Sequence, residues 1–260
     1  MKLPLLGLAL LVTWMGAGDA AAQEIARKYA VVSLIGDSIN VVTYHGSTAS
    51  SLDRNRTESL PVSDRVFDKA ALVATQEALE RIEPRSTVLL LAVSSPSLYT
   101  DQERFFDGTR LALPEELVGV ARREHATHML LLTKHRGEAR LQAQDEKLGS
   151  GMLAGIGFYI DRRLPTRNPS TGERGTGFLA PFVYAQMSLV DLATLRVDRQ
   201  QTITATATLS PAGNAASSDP WDALSAPQKV DVLSRMVTQE VLRAVPALVA
   251  PSGAARDSRN

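Results

Sequence analysis

The sequence predicts an α/β fold with an α+β tendency: a mixed sheet whose early strands are linked by helices, a later antiparallel meander, and a C-terminal amphipathic helix. Three observations predict it. Residues 179–209 read as two long strands joined at Asp191-Leu192-Ala193-Thr194. Along the second, Ile203, Ala205, Ala207 and Leu209 alternate with Thr202, Thr204, Thr206 and Thr208, and a period of two gives one core face and one wet face. Earlier in the chain, short apolar runs are separated by stretches whose apolar residues recur every three or four positions, so helices connect the first strands. Near the end, Ser225-Ala226-Pro227-Gln228 is a capping box ahead of another such stripe.

Taken in order, Met1 to Ala22 holds Lys2, an apolar run from Leu5 to Met15 and the small-residue stretch Gly18-Asp19-Ala20-Ala21-Ala22. That is the pattern of a secretory signal peptide, with cleavage expected between Ala22 and Gln23. The apolar run is short of the ~20 residues a bilayer-spanning helix needs. No later stretch is long and apolar enough to span as a helix. A single α/β domain is expected over residues 23–250, followed by a disordered polar tail, 251–260. The chain has 260 residues, near the upper size for one hydrophobic core, and no cysteine. Disulfides, thiolate metal sites and a lipid-acceptor cysteine are therefore excluded. Formal net charge is zero, and loss of Lys2 and Asp19 with the leader leaves it so, which argues against nucleic acid.

Tyr29 to Ile35 and Ser38 to Tyr44 read as strands with a Gly36-Asp37 turn between them, hence a hairpin. His45 to Leu60 is polar and turn-rich and reads as a loop. Ser63 or Asp64 is expected to cap a helix running to Glu83, striped by Val66, Phe67, Ala70, Val73, Ala74, Ala78 and Ile82, and Pro84 stops it. Ser86 to Val93 is apolar at both parities, the signature of a strand covered on both faces. Ser94 to Leu113 is irregular. Pro114-Glu115-Glu116 opens a second helix, with proline in the first turn and acids at the positive dipole end. Thr127 to Lys134 is a central strand, expected to form a hairpin through His135-Arg136-Gly137 with Glu138 to Gln144. Met152 to Ile160 is a strand, Asp161 to Phe178 a basic loop, and Ser210 to Leu224 a linker. The last helix carries Val230, Leu233, Val237, Val241, Ala244 and Leu248, with Pro246 expected to bend or end it.

This order of elements resembles the TolB N-terminal and CsgG-like domains of the bacterial envelope, a group that includes LpoB-type activators. Three stretches carry the resemblance: Leu117 to Lys134, a helix leading into a buried strand; Met187 to Arg199, paired strands around an Asp-x-x-Thr turn; and the terminal amphipathic helix. Together they cover about half the mature chain. The resemblance implies a periplasmic accessory or adaptor that binds an envelope partner, without catalysis or cofactor. The chain departs from the lipoprotein members in lacking a lipid-acceptor cysteine.

Five groups of residues could carry chemistry or recognition. Gly36-Asp37-Ser38-Ile39 resembles the first block of the SGNH (GDSL) esterases, where such a serine attacks an ester carbonyl with help from a histidine. Ser38 is the nucleophile of that alternative reading, an ester hydrolase, but the family's late Asp-x-x-His block has no match here. His125, His128 and His135 invite a metal reading, yet no carboxylate is spaced to complete a set, so no metal is expected. The basic loop, with Arg162, Arg163, Arg167 and Arg174 beside Tyr159, reads as the partner-docking surface, because long loops often carry function. Asp53 to Arg56 and Phe105-Phe106 read as turn chemistry and a core plug.

Overall fold

The computed structural model describes residues 26–45, 55–143, 146–167, 174–209 and 219–250. The expected leader, the tail and most of the 210–224 linker lie outside the described residues. Among the described residues there are three α-helices: α1 (Val66–Ile82), α2 (Glu115–Arg123) and α3 (Ala226–Val249). The first strands are β1 (Lys28–Ser33), β2 (Ser38–Thr43), β3 (Arg56–Pro61) and β4 (Thr87–Leu91). Two short pieces, β5 (Phe106–Asp107) and β6 (Arg110–Leu111), precede the central β7 (His128–Lys134). Then come β8 (Arg136–Glu138), β9 (Leu141–Ala143) and β10 (Glu146–Leu148). The long strands β11 (Met152–Arg167), β12 (Arg174–Asp191) and β13 (Arg196–Thr206) follow. All but β9 and β10 belong to one 11-stranded mixed sheet, as the alternating pattern predicts.

β12 is the spine. One edge pairs with β13. Along the other, residues 174–184 pair with β11 and residues 185–191 with β7. The sheet thus divides into two branches, β11–β2–β3 and β7–β1–β4. In β1 and β7 alternate residues serve two cores. Tyr29, Val31, Leu130 and Leu132 face α1 and α3, meeting Phe67, Leu79, Leu233 and Val237. Ala30, Val32, Met129 and Leu131 face the other way, toward Val118 and Ala121 of α2. A third cluster, with Tyr159, Phe178, Phe182 and Tyr184, fills the β11 branch.

The Asp191–Thr194 turn forms as expected, Asp191 Oδ1 accepting from Thr194 N–H at 2.7 Å and from its hydroxyl at 2.9 Å. The capping box of α3 also forms, Gln228 Oε1 accepting from Ser225 N–H at 2.8 Å. Helix α3 runs on through Pro246 to Val249.

Several expectations are corrected. β1 and β2 do not form a hairpin: β1 lies between β4 and β7, parallel to both, while β2 lies between β3 and β11. Part of the expected 45–60 loop is β3, a polar edge strand paired with β2. No side chain caps α1; Asp64 and Arg65 take left-handed backbone angles instead. The Ser86–Val93 run is an edge strand, half-exposed rather than covered, because β1 is its one neighbour among the described strands. After β7 the chain does not fold back on it: β8 pairs with β11, and β9 with β10. The basic 161–178 loop is largely strand, β11 and β12 continuing into it from both sides.

Candidate functional site

The joint between the two branches contains the Gly-Asp-Ser motif. Asp68, in the first turn of α1, holds it. Its Oδ1 accepts from Ser33 Oγ at 2.6 Å, Ile35 N–H at 3.0 Å and Gly36 N–H at 3.1 Å; its Oδ2 accepts from Tyr99 O–H at 2.7 Å. A Cβ on Gly36 would stand 2.6 Å from Asp68 N, so the close approach requires glycine. Burial raises the Asp68 pKa against the pull of these donors. Burial and then the neighbouring Asp68 carboxylate push Tyr99 up to about 12. Ser38 Oγ donates to Asp37 Oδ1 at 3.2 Å, and Lys134 Nζ lies 2.5 Å from the same oxygen. Among the described residues no histidine lies within hydrogen-bond reach of Ser38, so the base an activated serine needs is not beside it. A cavity of about 470 Å³ flanks the joint, lined by Tyr99, Gln102, Arg104, Lys134 and His135. Two of its charges are already matched, Lys134 with Asp37 and Arg104 with Asp101.

The docking residues expected from sequence lie on a different feature. β2 leaves β11 at Ile160, and the bridge between Leu179 and Leu209 is the last strand pairing described on the far edge of β12. Beyond those points, among the described strands, β11 and β12 pair only with each other, as a two-stranded arm. At its foot the register shifts, Asp161 opposing Phe178 but Pro165 opposing Thr176. Three residues, Arg162 to Leu164, thus face one, Gly177. Two local devices build this bulge. Asp161 Oδ1 accepts from the N–H groups of Arg163 at 2.7 Å and Leu164 at 3.0 Å. Gly177 takes φ +83°, and a Cβ there would run into Asp161 O.

The bulge separates the two arginines. Arg162 forks onto Asp219, with Nε 3.1 Å and Nη2 3.0 Å from Oδ2, and anchors the 3-10 turn Pro220–Ala223 against the arm. Burial pushes the Asp219 pKa up, but Trp221 N–H and Arg162 together bring it below the usual carboxylate value. Arg163 is exposed and lines a cavity of about 410 Å³ on the opposite side. Tyr44, Ser150, Tyr159, Asp161 and Phe178 share that lining. Its volume is in the range of small-ligand clefts. Tyr159 is fully buried in the wall, stacked on Phe178 at 6.0 Å with its hydroxyl accepting from Ser150 N–H at 3.2 Å. Burial raises its pKa. Tyr159 therefore shapes the cavity rather than presenting a surface contact. Arg167 and Arg174 are directly opposed at the outer end of the arm.

The three histidines of the sequence reading do not converge. His125 closes α2 with a left-handed φ of 57°, His128 begins β7 and His135 follows it. Burial, then Arg27, lowers the His128 pKa. What spacing did not reveal is that His128 stands beside Asp191 and Asp198, each from a different strand.

No family model matches the chain, and no curated protein matches it. Among solved structures it is similar to the PelC dodecamer from Paraburkholderia phytofirmans, at 13% identity, with 85% of this chain and 86% of that one covered and a TM-score of 0.30. It is similar to a Xanthomonas campestris protein at 9% identity, covering 86% and 84%, with a TM-score of 0.37. It is similar to the LpoB C-terminal domain from Salmonella enterica at 15% identity, covering 71% and 87%, with a TM-score of 0.25. Scores this low bear on neither family nor role. No helix among the described residues is long and apolar enough to cross a membrane.

Proposed function

We propose that the chain is an exported, non-enzymatic accessory or adaptor domain of the bacterial cell envelope that acts in the periplasm by binding a protein partner. The observation that carries this reading is the two-stranded arm: β11 and β12 leave the sheet, set Arg163 on a cavity at the foot, and place Arg167 opposite Arg174 further out. An acidic partner segment is the charge complement of the exposed Arg163 on this arm. An extended partner segment can also add to a strand edge by main-chain pairing. The apolar leader at residues 1–22 and the envelope-type order of elements support the compartment.

A photo-reactive side chain placed at position 163 in living cells should give one discrete cross-linked adduct. The adduct should disappear when Arg167→Glu and Arg174→Glu are combined, with the circular dichroism spectrum unchanged. An adduct indifferent to that double charge reversal, or none at all, removes the arm as a docking surface. The ester-hydrolase alternative has its own check: fluorophosphonate labelling abolished by Ser38→Ala would replace the adaptor reading with an enzyme.

A further inference from the structure

We infer that His128, Asp191 and Asp198 form a binding site for a divalent transition-metal ion of the Zn²⁺ class. The site is built by the sheet. Asp191, the last residue of β12, is registered directly opposite His128, the first residue of β7. On the other edge of β12 the register slips: Leu189 opposes Arg199, but Val190 opposes Val197. One step along β12 thus corresponds to two along β13, and Asp198 is the extra residue. A bulge of this kind turns two successive side chains toward the same face. Without it, strict alternation would separate Asp198 from the face that Arg199 shares with Leu189. With it, one ligand atom from each of the three residues lies within 4.8 Å of the other two.

An ion held at about 2.1 Å from each ligand needs them about 3–4 Å apart. Asp198 is exposed, so its side chain can close the remaining gap by a change of rotamer. The other two ligands are already oriented from behind. Thr127 Oγ1 lies 2.9 Å from His128 Nδ1, which fixes the ring and leaves Nε2 without a hydrogen-bond partner among the described residues. Thr194 holds Asp191 Oδ1 through both its N–H and its hydroxyl. Such supports set ligand orientation in metal centres. Neither aspartate has an ion-pair partner among the described residues: Arg196, registered opposite Asp191, is exposed, and Arg27 lies 3.2 Å from Glu83. Two carboxylates brought together without a cation repel each other, and a dication removes that cost. The imidazole selects against Ca²⁺ and Mg²⁺, which take oxygen ligands, in favour of Zn²⁺, Co²⁺ or Ni²⁺. Three protein ligands leave the remaining coordination to water.

The site sits at the opposite end of β12 from the arm, so it stands or falls independently of the adaptor reading. The experiment titrates the tag-free mature chain, stripped with chelator, with Zn²⁺ by calorimetry and with Co²⁺ by visible absorption. Saturable binding of one equivalent is expected, weakened at least about tenfold by either His128→Gln or Asp198→Asn and unchanged by His125→Gln. Circular dichroism of each variant separates ligand loss from misfolding, and Asp198, being exposed, is the variant that keeps its fold. Absence of saturable binding, or binding that survives both substitutions, overturns the site.

Discussion

Asp68 shows how one side chain can decide a fold. Four donors converge on it from β1, the joint and Tyr99, and they hold β1 and β2 in line instead of back to back. Asp68→Ala leaves buried donors without an acceptor, at a cost of about 1–3 kcal/mol each, so a loss of at least about 3 kcal/mol is expected in urea denaturation. Asp68→Asn keeps the oxygen that three of those donors use and should cost far less. The pH dependence follows from the raised pKa. A carboxyl whose folded pKa lies above its unfolded value of 3.8 contributes stability that is complete below that value and is lost as pH rises through the folded pKa. The stability of the wild type relative to Asp68→Asn should therefore fall as pH rises from 3.8. A difference that is flat, or that grows with pH, would mean that the hydrogen bonds outweigh burial at this carboxyl.

At the scale of elements, the sequence shows where strands and helices lie much better than which strands are neighbours. Apolar alternation is local, so residues 179–209 and the α3 stripe were legible from their own side chains. Pairing is not local. Gly36-Asp37 has the composition of a hairpin turn, but Asp68, 31 residues beyond Asp37, keeps the chain straight there. Leu89, Leu90 and Leu91 read as buried because apolarity at both parities signals burial, and nothing in the run states that its strand lies at an edge. The candidate sites divide the same way. Arg163 and Tyr159 were visible as a basic stretch beside aromatics, whereas His128, Asp191 and Asp198 meet only through the pairing of three strands. The exposed edge has a consequence of its own. The large hydrophobics most exposed among the described residues, Val73, Ile82 and Leu90, all belong to α1 and β4, which pack on each other. An apolar edge without a charge invites association. Leu90→Lys should leave stability within about 0.5 kcal/mol of wild type and lower the concentration-dependent association seen by light scattering. If association is unaffected, β4 is not where copies or partners meet.

The whole molecule is tied together at its two ends. Tyr29, close after the expected cleavage point, and Leu248, close before the tail, belong to the same core cluster, which also draws on α1, β7, β11 and β12. Neither end can leave without opening that cluster to water, at roughly 1.5–3 kcal/mol for each large side chain exposed. The two branches of the sheet share β12, so the β11 side with its aromatic cluster cannot part from the β7 side while the spine remains strand. These shared elements argue that the described strands and helices unfold as one unit. The chain offers a clean probe. Its two tryptophans are Trp14, inside the expected leader, and Trp221. In a chain begun at Gln23, fluorescence reports Trp221 alone, packed edge-on to Phe158 at 5.7 Å and under Lys229 Nζ at 4.1 Å. That ring sits where the arm's anchoring turn meets the helical face, far along the chain from β1. In urea, its fluorescence and the far-ultraviolet circular dichroism should trace one coincident transition. If the tryptophan signal changes at lower denaturant than the backbone signal, the arm and its anchor come away first, and the chain is two cooperative units rather than one.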